Sequence, residues 1–494
     1  MTARQRSPQL TALVTISLCL LTSLVAAQPI VDHPSQLVFP ELRFDPPSAE
    51  QFRVELRDGL VVYIQEDHTL PTFQLSLSWI GGSYFDPPGK EGLAGLTYAL
   101  LRSGGTTRMT ADQVDERLEF LSAQIGTSAG LYEGTASCWC LSRDTDEVLG
   151  LLADILLRPA FEEDKIRRER EEALETLSHR YDSPASLLGA RLPKLLYGDA
   201  PPGRTVTGAS VMGITRDDLI AFHKNFVGAN KAILTVSGDF AREEMLDKLS
   251  DALAEFVPTG ATMPDRDERL ELPGAATPAT YLLNKAGPQA QGQMCHLGIE
   301  RHDPDFVPLR VLNYVLGGGG LSDRLARRVR GDEGLTYAIS STVEAPYGRR
   351  GAVGVSFSCG ANNAAYVVSL VREEIDRIRA EEVTDEELTI AKDAFLGTFP
   401  DAFSTPYDVI ANLAALERAE VPLDFYSRVR DEIAAVTRAD LLRVAREHWR
   451  PDALLIVLAG DAAAMQAGNP EKPATFGDAA RVHVIEPKDP VACE

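Results

Sequence analysis

Thr215-Arg216-Asp217-Asp218-Leu219 returns as Thr437-Arg438-Ala439-Asp440-Leu441, an offset of 222 residues (215 to 437). Gly238-Asp239 returns at the same offset as Gly460-Asp461. Phe161-Glu162-Glu163-Asp164-Lys165-Ile166 returns there more loosely as Val383-Thr384-Asp385-Glu386-Glu387-Leu388. Three echoes at one spacing identify an internal duplication, so the chain reads as two copies of one fold. Its 494 residues are enough for two sizeable cores.

Outward from these echoes, each copy has the same order of elements. In the first, residues 52–56, 60–65 and 72–80 alternate or run apolar like strands, with Asp58-Gly59 as a hairpin turn. Residues 91–101 and 110–121 carry apolar side chains at helical spacing, and Thr110 with Gln113 forms a capping-box pattern. Strand patterns at 124–131 and 134–141 precede helices starting at Asp144, Glu162, Pro184 and Thr215, and a strand at 232–237 closes the unit before Gly238-Asp239. Strands, then helices, then a last strand predict an α+β fold: two homologous domains, each a mostly antiparallel sheet with helices packed on one face. The predicted domains are 44–257 and 279–462. Residues 258–278, rich in Pro, Gly, Ala and charge, read as a linker, and residues 463–494 as a flexible tail.

Residues 1–27 read as a secretory signal peptide. Arg4 and Arg6 precede an apolar run from Leu10 to Ala27, and Val25-Ala26-Ala27 offers a cleavage site before Gln28. The alternative is an uncleaved anchor; the run has the minimum spanning length but contains Thr11, Thr15, Ser17, Thr22 and Ser23. The expected location is exported, in a periplasm, with no membrane span after cleavage. A formal charge of −23 argues against a nucleic-acid partner, which needs clustered Lys and Arg. Cys138, Cys140, Cys295, Cys359 and Cys493, odd in number and scattered, do not form a disulfide framework.

None of the eight histidines forms a His-x-x-x-His pair, and Cys295, His296 and His302 read as ordinary strand and surface residues rather than a metal cluster. The run Gly317-Gly318-Gly319-Gly320 lacks the following Gly-Lys-Ser/Thr of a phosphate loop and reads as a hinge or a close backbone approach.

Asp58-Gly59-Leu60, Gly81-Gly82-Ser83, Gly89-Lys90-Glu91-Gly92-Leu93-Ala94, Gly104-Gly105-Thr106 and the Gly-Asp closing each copy resemble the insulinase/pitrilysin metallopeptidase family, over residues 44–461. Active members carry His-x-x-Glu-His directly after Gly-Leu-Ala. Two imidazoles one turn apart hold Zn²⁺ there, and the Glu is the general base. At those positions this chain has Gly95 and Ala99 for the ligands and Tyr98 for the base. The family's third ligand falls at Thr176, beside Glu175. The resemblance is therefore to a non-catalytic member, with no catalytic residue and no metal in this chain.

The second copy keeps more. Gly317 to Leu325 and Arg330-Gly331-Asp332-Glu333-Gly334-Leu335-Thr336-Tyr337 are similar to the family's carboxyl-half signature, whose Arg and Tyr, seven residues apart, bind the substrate backbone. Spacing alone leaves open a surface Arg and a half-buried strand Tyr. The resemblance implies that Arg330 and Tyr337 bind a peptide substrate. It further implies a heterodimer, in which a homologous catalytic subunit with an intact zinc motif supplies Zn and the general base. The alternative is a peptidase-derived scaffold with no proteolytic role.

Overall fold

The computed structural model describes residues 44–57, 59–270 and 277–494. The expected signal peptide and Asp58 of the first hairpin lie outside them. In the first half, strands β1 (Arg53–Arg57), β2 (Leu60–Glu66) and β3 (Thr72–Ile80) are followed by helices α1 (Leu93–Ser103) and α2 (Ala111–Leu121). The hairpin β4 (Gln124–Ala129) and β5 (Glu133–Leu141) leads into helices α3 (Thr145–Leu157), α4 (Glu163–Ser178), α5 (Pro184–Tyr197), α6 (Gly208–Gly213) and α7 (Arg216–Phe226). Strand β6 (Ala232–Gly238) and helix α8 (Arg242–Ala252) complete this half. The sheet order is β1-β2-β6-β3-β5-β4; β2 and β6 run parallel and the other neighbours antiparallel.

After helix α9 (Arg266–Leu270), the second half repeats the plan with β7 (Thr280–Asn284), β8 (Gln289–Leu297), α10 (Phe306–Asn313), β9 (Ile339–Val343) and β10 (Ala352–Gly360). Helices α11 (Ala364–Ala380), α12 (Asp385–Thr398), α13 (Pro406–Arg418), α14 (Phe425–Ala435) and α15 (Arg438–His448) precede β11 (Leu455–Gly460), α16 (Ala462–Ala467) and β12 (Val482–Ile485). This sheet is ordered β12-β7-β11-β8-β10-β9. The α+β expectation holds.

The echoes have a local physical cause. Thr215 and Thr437 each cap a helix by accepting the N–H three residues on, from Asp218 (3.2 Å) and Asp440 (3.1 Å), while those carboxylates accept the threonine N–H in return. The leucines that close the two motifs, Leu219 and Leu441, are fully buried. Each cap satisfies orphan donors of a first helical turn. Thr437→Ala is expected to cost about 1 kcal/mol, and a denaturation midpoint equal to wild type would refute this role.

The second face of each sheet, expected to carry helices on one side only, is covered by a helix from the opposite half. Leu187, Leu188 and Leu196 of α5 pack on Leu283, Cys295, Leu455 and Val457 of the second sheet. Their counterparts on α13, Ile410, Leu413 and Ala414, pack on Tyr63 and Ile233 of the first. Near the end of α13, Glu417 accepts both guanidinium N–H groups of Arg53 at 2.9 and 2.8 Å and the Tyr63 hydroxyl at 2.5 Å. This exchange makes Asp45–Glu494 one compact unit. Leu413→Ala should cost about 2–5 kcal/mol through the cavity it leaves. Because the residue joins both sheets, both halves should still melt together. Two separated transitions in the wild type would contradict that coupling.

Two loose segments are more ordered than their composition suggests. Within residues 258–278, α9 places Arg269 between the rings of Tyr132 (5.8 Å) and Tyr347 (5.1 Å), one ring from each half. The expected flexible tail instead contributes β12, which pairs parallel with β7 from Val482↔Thr280 to Ile485↔Leu283. Farther on, the Gly208 N–H donates to the Val491 carbonyl at 2.9 Å. Edge hydrogen bonding thus orders a stretch whose four prolines signalled a loose end.

Candidate substrate-binding site

Helix α1 starts after Gly92, and Asp86 caps it by accepting the N–H groups of Gly92 and Ala94, both at 2.8 Å. Its apolar residues Leu93, Leu96, Leu100 and Leu101 are buried against the first sheet. Gly95 is exposed and Ala99 half-buried, one turn apart on one face. A Cβ added at Gly95 would meet nothing within 4 Å, so this face is open. It has room for ligands and no donor atoms.

Tyr98 points elsewhere. It is fully buried, donates to the Gly81 carbonyl at 2.8 Å and accepts from the Trp79 indole N–H at 3.0 Å. Its ring centroid lies 5.6 Å from that of Trp79. Gly134 makes room for it: a Cβ there would stand 2.0 Å from the Tyr98 hydroxyl oxygen. Burial pushes this phenol well above its ordinary pKa. The residue at the base position is therefore a structural part of the core.

On α4, Thr176 is exposed and its hydroxyl donates to the Glu172 carbonyl at 2.9 Å, inside its own helix. Glu175 is exposed and lies 3.0 Å from Nε2 of His179. The hydrogen bond that joins α4 to α1 runs instead from the Ser103 hydroxyl to Glu169, at 2.5 Å. No zinc set forms from Gly95, Tyr98, Ala99 and Thr176: the first and third lack donor atoms and the second faces inward. Zinc does not fit this chain at the family position.

Cys295 and His302 do not gather into a site either. Cys295 packs in the cross-half core, whereas His302 is exposed and bonded to Glu300 at 3.1 Å. Asp303, Asp305 and His448 lie close enough to share an ion. However, Asp305 already binds Arg443 at 2.7 and 3.0 Å and His448 at 2.7 Å, which makes the group an ion-pair cluster. A cavity of about 660 Å³ between the halves, bounded by Trp79, Tyr132, Tyr347 and Glu417, contains neither Gly95 nor Arg330.

In the second half, Ala326–Asp332 winds as a π-helix, a form that recurs at functional sites because it re-aims side chains. Asp323 anchors its start by accepting the Ala326 N–H at 2.7 Å, and buried Arg324 clamps it to Glu387 on α12 through two bonds of 2.8 Å. Thr336 pins the other end by donating to Ser358 and Ala338 carbonyls at 2.6 and 2.7 Å. Between these anchors the Arg330 guanidinium carbon lies 4.8 Å from the centre of the Tyr337 ring. Tyr337 is 82% exposed. Among the described residues neither side chain has another partner, so the guanidinium edge and phenolic hydroxyl remain free donors. The structure brings these two predicted residues together. The anchors Asp323, Arg324 and Thr336 were not singled out from sequence, although Asp323 and Arg324 stand inside the glycine-rich signature.

Burial pushes the Asp323 carboxyl up to about 6, against backbone amides that pull it down. A carboxyl whose folded pKa is raised stabilises most when protonated, and loses that contribution as pH rises through 6. Wild type is thus expected to gain a few degrees in Tm relative to Asp323→Asn as pH falls from 7 to 5. Parallel melting curves across that range would refute it.

The family model described as "Insulinase (Peptidase family M16)" matches residues 61–210, and that described as "Peptidase M16 inactive domain" matches residues 213–395. The chain belongs to the insulinase, or M16, peptidase family. A relative from Rickettsia bellii, named "Uncharacterized zinc protease", is 25% identical over 351 residues, covering 69% of this chain and 82% of its own. One from Helicobacter pylori, named "Non-peptidase homolog YmxG", is 24% identical over 400 residues, covering 78% and 88%. A crystal structure of a peptidase M16 inactive domain from Pseudomonas fluorescens superposes with a TM-score of 0.75 at 25% identity, over 85% of this chain and 98% of that one.

Proposed function

We propose that this chain is the substrate-binding, non-catalytic subunit of an exported, periplasmic, heterodimeric M16 peptidase. A homologous partner with an intact His-x-x-Glu-His motif supplies zinc and the general base. The observation that carries the reading is the contrast between the halves. Arg330 and Tyr337 stand stacked with unused donors, while Gly95 and Ala99 leave a ligand position with nothing to bind a metal. The name of the Helicobacter pylori relative supports a chain that does not cut by itself. No described helix is long and apolar enough to cross a membrane.

In this role the free guanidinium edge and the phenolic hydroxyl donate to carbonyl oxygens of an extended peptide, and the cation–π stack holds the two donors in register. Stacking before substrate arrives lowers the ordering cost of binding. The test is affinity purification of the tagged chain from its native host. A companion bearing His-x-x-Glu-His, with zinc confined to that companion, is the expected result. Purification alone, with no companion, favours the scaffold reading. Stoichiometric zinc on the isolated chain would overturn both.

A further inference from the structure

Residues 463–494 lie beyond the second copy of the duplicated fold, yet one turn of that segment reaches the loop that carries Arg330 and Tyr337. Asn469 and Lys472 form an antiparallel bridge, and the Lys472 N–H donates to the Asn469 carbonyl at 3.1 Å. The Asn469 side chain accepts the Glu471 N–H at 2.9 Å and donates to Asn363, just before α11, at 2.7 Å. The turn is thereby closed on itself and docked. It presents Lys472, whose Nζ lies 2.6 Å from Oε2 of Glu333 and 3.4 Å from the Glu333 carbonyl oxygen.

Glu333 stands three residues after Arg330 and four before Tyr337. Its Oε1 accepts Arg328, from within the π-helix, at 2.6 Å and the Tyr366 hydroxyl of α11 at 3.1 Å. Three separate elements therefore converge on one half-buried carboxylate. Lys472 first, and then Arg328, hold this carboxyl down at about 2, so it stays charged. The chain turns at the next residue, Gly334, whose φ of +63° is the left-handed conformation that glycine adopts without strain. Between Arg330 and Thr336, Glu333 is the one polar side chain, among the described residues, that makes a hydrogen bond. Asp323, Arg324 and Thr336 fix the ends of this loop. Glu333 fixes its middle, where the turn sets how the guanidinium and the phenol stand to each other.

We propose that Glu333 and Lys472 are positioning residues for the Arg330–Tyr337 pair, the 469–472 turn holding the carboxylate that keeps both donors in the spacing a peptide backbone needs. This role rests on the substrate-binding reading of that pair. Partly exposed ion pairs of this kind add little to global stability. Their effect is local: a loop held in place before substrate arrives loses less freedom on binding.

Hydrogen exchange of the full chain, with anisotropy titration of fluorescein-labelled casein as an unfolded polypeptide probe, tests this. In Lys472→Met, which keeps an aliphatic stem and loses the charge, amides at 328–337 should exchange about tenfold faster while those of both sheets stay unchanged. Casein should bind about three- to tenfold more weakly, and Lys472→Arg should bring it back to within about twofold of wild type. Glu333→Gln should match Lys472→Met, and the double variant should lose no more than either alone. In an Arg330→Ala background, Lys472→Met should cost less than about twofold further, because it acts through the pair, whereas general destabilisation would weaken both backgrounds equally. If Glu333→Gln fails to fold, the two Lys472 variants decide. Unchanged exchange at 328–337, or unchanged casein binding in Lys472→Met while Arg330→Ala weakens it, would overturn the positioning role and leave the substrate-binding reading standing. Casein binding that Arg330→Ala leaves unchanged would overturn that reading, and this role with it.

Discussion

Tyr98→Glu is expected to destabilise the protein by about 4 kcal/mol or more. The substitution removes a fully buried ring, leaves the Trp79 indole N–H and the Gly81 carbonyl without their partner, and sets a carboxylate where Tyr98 now has neutral neighbours. Loss of a large buried aromatic costs about 3–5 kcal/mol, and each orphaned buried polar group about 1–3 kcal/mol more. The charge escapes only if the carboxyl stays protonated or the helix shifts. By contrast, Gly95→His should change stability by less than about 1 kcal/mol, because its Cβ enters open space. The combined variant Gly95→His/Tyr98→Glu/Ala99→His is therefore expected to unfold early rather than regain zinc. Equilibrium denaturation with metal analysis decides this. A triple variant as stable as wild type and holding one zinc would mean that the inward orientation of Tyr98 is incidental.

Arg330→Ala should lower the kcat/KM of the proposed two-chain peptidase by about 100- to 1,000-fold, the range seen when a donor to a developing oxyanion is removed. The isolated variant should melt within about 0.5 kcal/mol of wild type, since the guanidinium only stacks on Tyr337 and bonds to nothing else described. That separation of activity from stability is the diagnostic. Tyr337→Phe keeps the stacked ring and removes the hydroxyl, so its loss should be smaller. Arg330→Lys should fall between, having charge without a planar fork. Unchanged peptide turnover in a complex containing Arg330→Ala would refute the substrate-binding role.

Much of the architecture was legible because it is written over short distances. The capping box at Thr110 and the repeated helix start at Thr215 and Thr437 lie within one turn of the residues they bond, so a few letters carry them. Gly95 and Ala99 were equally plain, since absence of a donor atom is a property of the side chain itself. Arg330 and Tyr337 were found through spacing and resemblance, and their stacking follows from a π-helical segment anchored by Asp323, Arg324 and Thr336. Those anchors draw on Glu387 and Ser358, far along the chain, and no local pattern announces them.

The sequence by itself determined the duplication, the order of elements, and the absence of zinc-binding atoms where the M16 family holds its metal. Tertiary structure alone decided that α5 and α13 cross to the opposite sheets, that Tyr98 turns into the core, and that β12 joins β7. The reason is physical. A cap or a missing ligand depends on neighbours in the chain, whereas an apolar stripe or a stacked cation records only that something covers it. Which surface does so is settled when the whole chain has folded.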